Sequence, residues 1–195
     1  GGTEYDSAHN KLEYTQNALD LMISQYLDIG NYMQMRFSGG LSYIDFEQEN
    51  EVSLTWAEEI NDRFETNSEF QGLGPRVGID ARYDFGNGVG IVGGASFAYY
   101  LGDLDVDTSI HSSEESIASI EDDIDEHAVI NLRSNLAVDY VYFFDNEALS
   151  TIGLELGYEI DYYNDVVGEI TTFGSDPDTV AASFAGPYLL LKGAF

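Results

Sequence analysis

Basic residues are scarce here, so where they sit carries information. The chain of 195 residues has seven Lys plus Arg against 36 Asp plus Glu, a formal charge of −29. Five of the seven, Arg36, Arg76, Arg82, Arg133 and Lys192, fall on an alternating phase that also holds Asp80, Asp139, Glu155, Glu159 and Asp161. Cations and carboxylates sharing one face have two physical uses. In a wide, wet passage they set a transverse field and an ion preference; in a narrow interior they neutralise one another as buried pairs. The spacing fits both.

The remaining chemistry-bearing residues offer less. The stretch 104–127 holds Asp105, Asp107, Glu114, Glu115, Glu121, Asp122, Asp123, Asp125 and Glu126 with no Lys or Arg. Oxygen ligands from Glu121, Asp122, Asp123 and Asp125 suit a hard cation such as Ca2+, but their spacing matches no EF-hand, and a solvated acidic loop is the simpler expectation. The histidines, His9, His111 and His127, lie near loops without a positioned nucleophile or acid, so no enzyme is expected. "GNGVG" (86–90) lacks the helix and Lys of a phosphate cradle. With no Cys, a disulfide, thiolate nucleophile or Cys-bound metal is excluded. Scarce cations argue against nucleic acid, whose phosphates require clustered positive charge, and against an anionic membrane surface.

The elements that position these residues read as strands. A hydrophobic fraction of 44% excludes a disordered chain. "TIGLELGYEIDYY" (151–163) alternates Ile152, Leu154, Leu156, Tyr158, Ile160 and Tyr162 with Gly153, Glu155, Gly157, Glu159 and Asp161. The same period of two predicts seven strands over 13–27, 32–47, 71–85, 88–103, 128–143, 150–164 and 180–195. They suit the ~9–11 residues that a tilted strand needs to cross a bilayer. No apolar run approaches the ~20 residues of a spanning helix. Tight connections at 28–31, 86–88 and 146–149 alternate with long polar ones at 48–70, 104–127 and 165–179, the asymmetry of outer-membrane barrels. The inner phase is small or charged, a poor dry core but an ordinary barrel lumen. Tyr26, Tyr32, Tyr43, Phe46, Tyr83, Phe85, Tyr142, Phe143, Phe144, Tyr162 and Tyr163 gather near strand ends, as an interfacial girdle requires. Within 48–70, Trp56, Ile60 and Phe64 follow Ser53 at every fourth position, which predicts one short amphipathic helix.

The chain ends in "FAGPYLLLKGAF" (184–195), an aromatic-terminated strand with Leu189 and Leu191 in the lipid-facing phase. Together with "ALDLMISQYLDIGNYMQMRFSGGLSYIDF" (18–46) and "FQGLGPRVGIDARYDFGNGVGIVGGASFAYYLGDLD" (70–105), this resembles the Legionella major outer membrane protein family of pore-forming barrels. The acidic stretch 111–126 departs from that likeness. The resemblance implies an all-β, antiparallel transmembrane β-barrel in a Gram-negative outer membrane, among lipid and lipopolysaccharide, with a homo-oligomer as a possible assembly. Both termini of such barrels lie in the periplasm, so residues 1–195 are expected to form one barrel domain lacking an odd number of N-terminal strands, with eight or more strands in the intact chain. The expected function is passive diffusion of ions and small solutes. The alternative is a structural or adhesive barrel whose acidic outer parts bind partners or divalent cations.

Overall fold

The computed structural model describes residues 7–56, 59–112, 115–143, 151–169 and 178–194. They form seven strands: β1 (Ser7–Ile29), β2 (Met33–Trp56), β3 (Glu59–Asp84), β4 (Val89–Ser112), β5 (Glu115–Phe143), β6 (Thr151–Glu169) and β7 (Asp178–Ala194). Each pairs antiparallel with its sequence neighbour, giving one sheet in the order β1 to β7. The sheet curls into a half-barrel, bringing β6 against β3 and β4 across its concave side. Among the described residues there is no helix.

Two turns close hairpins at one end. At 84–89, Gly86 and Gly88 have φ of 90° and 84°, values that side chains with a Cβ rarely adopt. Asp84 Oδ1 accepts from the Gly86 amide at 2.6 Å, and Asn87 Oδ1 from the Val89 amide at 3.2 Å. Gly30, at φ 63°, serves the β1–β2 turn. The third expected tight turn, 146–149, lies outside the described residues, as do Phe144 and Phe195.

The strands run well past their expected ends, so the described residues of 48–70, 104–127 and 165–179 are strand rather than loop, while 170–177 lie outside the described residues. Val52, Leu54, Phe64, Val106 and Ile110 continue the period of two, and ladders with the neighbouring strands satisfy the backbone. The short helix is likewise absent: Ser53 pairs with Arg63 and Trp56 with Glu59 in the β2–β3 ladder. Trp56 ends β2, whereas Ile60 and Phe64 belong to β3 on either side of a one-residue register shift, so the repeat is divided between two paired strands instead of lining one helical stripe.

One register carries a single phase across the sheet. Phe37, Ile79, Ala95, Ser134, Ile160 and Ala185 form a convex row; Ser38, Gly78, Ser96, Arg133, Asp161 and Phe184 form the concave row beside it. Burial is inverted relative to a soluble protein. Ile23 is 84% and Leu156 62% exposed on the convex side, while Asp139 and Asp161 are 3% and 5% exposed on the concave side. A face of this kind fits hydrocarbon outside and polar groups within. Tyr32 and Phe85 flank Tyr83 at the turn end, with ring centroids at 6.4 and 5.4 Å. Phe46 and Tyr163, expected in the girdle, are instead buried on the concave side. Nor is that side small or charged throughout: away from the turns it carries the apolar cluster of Ile44, Phe46, Phe70, Tyr100, Leu104, Val106, Val129, Tyr163, Val166 and Val167.

Beyond the apolar belt the convex face turns acidic. Glu47, Glu69, Asp105 and Asp123 stand directly opposite one another across β2 to β5. A bulge at Glu126 (φ 56°), where Asp103 faces two residues of β5, resets the alternation so that Ile124 still points inward and Asp123 outward.

Two outcomes follow for stability. Leu156→Lys is expected to cost about 2–4 kcal/mol by urea titration in bilayers, being lipid-facing near mid-belt. Gly186→Lys, where an added Cβ meets nothing within 4 Å on the concave side, should cost far less; equal costs would mean the faces are assigned wrongly. Asp105 is exposed, yet partial loss of water within its row, then the neighbouring Asp123, raises its carboxyl pKa. The folded state therefore holds this proton more tightly than the unfolded one, so its contribution is fullest below the ordinary carboxylate range and is lost as pH rises through it. Asp105→Asn should relieve a few tenths to about 1 kcal/mol of like-charge opposition at neutral pH. Hydrogen exchange of the β4 amides around Leu104–Asp107 at pH 7 should slow in that variant, and should change little at pH 4.

Candidate functional site

The concave side near the turns forms a chamber of about 1280 Å3. Register decides which charges meet there. Arg36 and Asp80 sit directly opposite on β2 and β3, and their side chains pair at 2.8 Å. Arg133 and Asp161 do the same on β5 and β6 at 2.5 Å, with Glu159 3.8 Å away. Arg82 reaches two strands over, from β3 to Asp139 on β5 at 2.6 Å, and also contacts Asp84 at 2.7 Å. Gly90 on the intervening strand leaves the room for this: a Cβ there would come within 2.5 Å of Asp139 Oδ1 and 2.9 Å of Arg82 Nη2.

Two further contacts complete the wall. Lys192 pairs with Glu155, which also accepts from the Tyr188 hydroxyl at 2.6 Å; that hydroxyl in turn accepts from Asn135 at 2.9 Å. Arg76, only 5% exposed, contacts Asp20 at 3.3 Å and donates to Ser96 at 3.1 Å. The ten charged residues expected on the inner phase, Arg36, Arg76, Asp80, Arg82, Arg133, Asp139, Glu155, Glu159, Asp161 and Lys192, thus all lie on the concave side, joined as cross-strand pairs. Guanidinium groups suit this role because a planar fork spans adjacent strands and satisfies a carboxylate without leaving its own donors idle.

Several residues of the same wall escaped sequence reasoning. Asp20 and Asp28 come from β1, Asp84 closes the ladder at the turn, and Tyr26, placed in the girdle, lines the chamber. Parity alone would have found the β1 residues, since Asp20, Ser24, Tyr26 and Asp28 alternate with Leu19, Leu21, Ile23 and Leu27. Asn131 is fully buried, donating to Asp161 at 2.5 Å and to the Tyr162 carbonyl at 3.2 Å.

The acidic residues weighed as cation ligands are not brought together. Glu121 pairs with Asp107 and Asp123 with Asp105, while Asp122 between them stands opposite Val106, on the other side of the pleat. Asp125 lies at the bulge. Among the described residues no group of three or more His, Asp or Glu is placed to hold a metal ion. His127 is taken up structurally: its Nε2 lies 2.6 Å from the Asp165 carbonyl, and its ring meets Phe70 edge-on.

No curated protein matches the chain, and no solved structure does. A family model described as the Legionella pneumophila major outer membrane protein precursor matches residues 2–195. An exposed apolar belt, tight turns at one end and a polar concave wall are what residence in an outer membrane demands of a β-sheet. The chain belongs to the Legionella major outer membrane protein family, and is a β-sheet protein of the Gram-negative outer membrane.

Proposed function

We propose that the concave wall lines an aqueous passage for ions and small solutes, with a preference for cations. The observation that carries this reading is the charged chamber itself. Among the described residues seven carboxylates and five cations line it, so the wall is net negative even after every cation is paired. Asp28, which accepts from Gln34 at 2.9 Å, and Glu159, at the edge of the Arg133 pair, leave negative potential facing the water. Charges in a wall of low dielectric act strongly on ions passing close by. The apolar belt meets outer-membrane lipid, and the acidic rows beyond it stand at the height of lipopolysaccharide headgroups. Those rows also favour a second reading, a structural or adhesive barrel that presents carboxylates to partners or divalent cations; such a protein conducts no current.

Reversal potentials under a KCl gradient across planar bilayers test the two. A pore of this kind should show modest cation preference that weakens as salt rises, since the Debye length falls from ~10 Å at 0.1 M to ~3 Å at 1 M. Asp28→Asn with Glu159→Gln should move the reversal potential toward zero. Anion preference would overturn the charge assignment, and no conductance would leave the structural reading.

The pairs that line the wall also hold the fold. Arg82→Gln strands the buried Asp139 carboxylate and should cost about 3 kcal/mol. Adding Asp139→Asn should recover most of that loss, giving a large coupling energy in the double-mutant cycle. Additive losses would show that the two groups do not act as a pair.

A further inference from the structure

The chamber does not run the length of the sheet. Away from the tight turns, toward the side that barrel asymmetry assigns to the cell exterior, the concave face is next filled by the apolar cluster, with polar residues such as Thr66 and Thr108 following farther out. Its closing piece is the end of β6. The β6–β7 register shifts between Tyr163 and Val167, and Asp165 takes φ of 55°. Past this irregularity Val166, Val167 and Gly168 are buried. The Gly168 amide then donates to Ser68 Oγ on β3 at 2.9 Å, a bond between strands that are not neighbours in the sheet. Phe46 meets Tyr163 at 5.8 Å between ring centroids, and Gln16 of β1 donates to the Tyr163 hydroxyl at 2.5 Å. A side chain at Gly168 would run into Val106 of β4.

We propose that the end of β6, Tyr163–Gly168, is a gate: an apolar stopper latched to Ser68 that closes the outer end of the passage until it swings aside. This deepens the pore reading and rests on it. An apolar constriction excludes ions by staying dry, because an ion crossing it gives up water without gaining ligands. The latch to Ser68 is one neutral hydrogen bond; His127 on the Asp165 carbonyl and the short β6–β7 ladder at Val167–Glu169 also hold the element, which lies beyond a register irregularity and past the last β5–β6 pair, Ile130 with Asn164. Breaking the latch weakens the shut state without touching the charged wall below.

Single-channel recording on the full chain tests the gate. Ser68→Ala keeps the packing and removes the latch, and should raise the open-to-closed ratio about fivefold, the equivalent of one neutral hydrogen bond. Gly168→Ala, which crowds Val106, should raise it further. Ser134→Ala, on the exposed convex row, should leave gating unchanged. As a second readout, Val167→Cys introduces the sole thiol, which should react with a water-soluble thiol reagent several-fold faster when Ser68→Ala is present. If the wild type conducts and neither its gating nor the thiol rate responds to these changes, the gate is wrong and the pore stands. If no variant conducts, the pore and the gate fall together.

Discussion

A guanidinium on the concave side of this sheet meets its carboxylate because the strands that carry them keep one register. Arg36 opposes Asp80 and Arg133 opposes Asp161, while Arg82 reaches Asp139 over Gly90; each pairing is a statement about alignment before it is one about charge. A slip of one residue would turn Arg133 toward lipid and Leu132 or Leu136 toward the chamber. Both faces would then fail at once. The charged wall and the apolar belt are thus one constraint seen from two sides, and the ion pairs act as alignment markers as much as sources of stability.

Hydrocarbon on the convex side removes the usual driving force for a dry interior. What remains inside is divided along the strands. Near the turns the concave face is polar and open; next comes an apolar, closed band with Ile44, Phe46, Phe70 and Tyr163 fully or almost fully buried, before polar residues such as Thr66 and Thr108 return farther out. The division falls where the convex face changes from leucine and valine to carboxylates. Within the belt lipid covers the outside and polar pairs line the inside; beyond it water covers the outside, and the strands must find an apolar interior of their own, as a soluble sheet would. The molecule follows the membrane rule for part of its height and the soluble rule for the rest.

That change of rule explains what the sequence disclosed. Period two and the glycine turns made the seven strands legible, and parity placed the ten charged residues on one wall. Strand ends were obscured because Glu47, Glu69, Asp105 and Asp123 on a water-facing pleat have the composition of a loop, although their inward neighbours Phe46, Phe70, Leu104 and Ile124 continue the apolar phase. The apolar stopper was missed for a related reason. Aromatics near strand ends look alike from either face, yet Phe46 shares parity with Arg36, and Tyr163 with Asp161. Parity carried the information; the assumption that inward means polar concealed it.

The bulge at Glu126 has a consequence for how such a chain changes over generations. By absorbing one extra residue it uncouples the count of residues in the outer hairpin from the count in the belt. An insertion or deletion of a single residue above it can be taken up by moving or erasing the bulge, and the leucines below keep their side. Lengths of the outward-projecting hairpins are therefore free to drift between descendants while the belt is held to strict alternation.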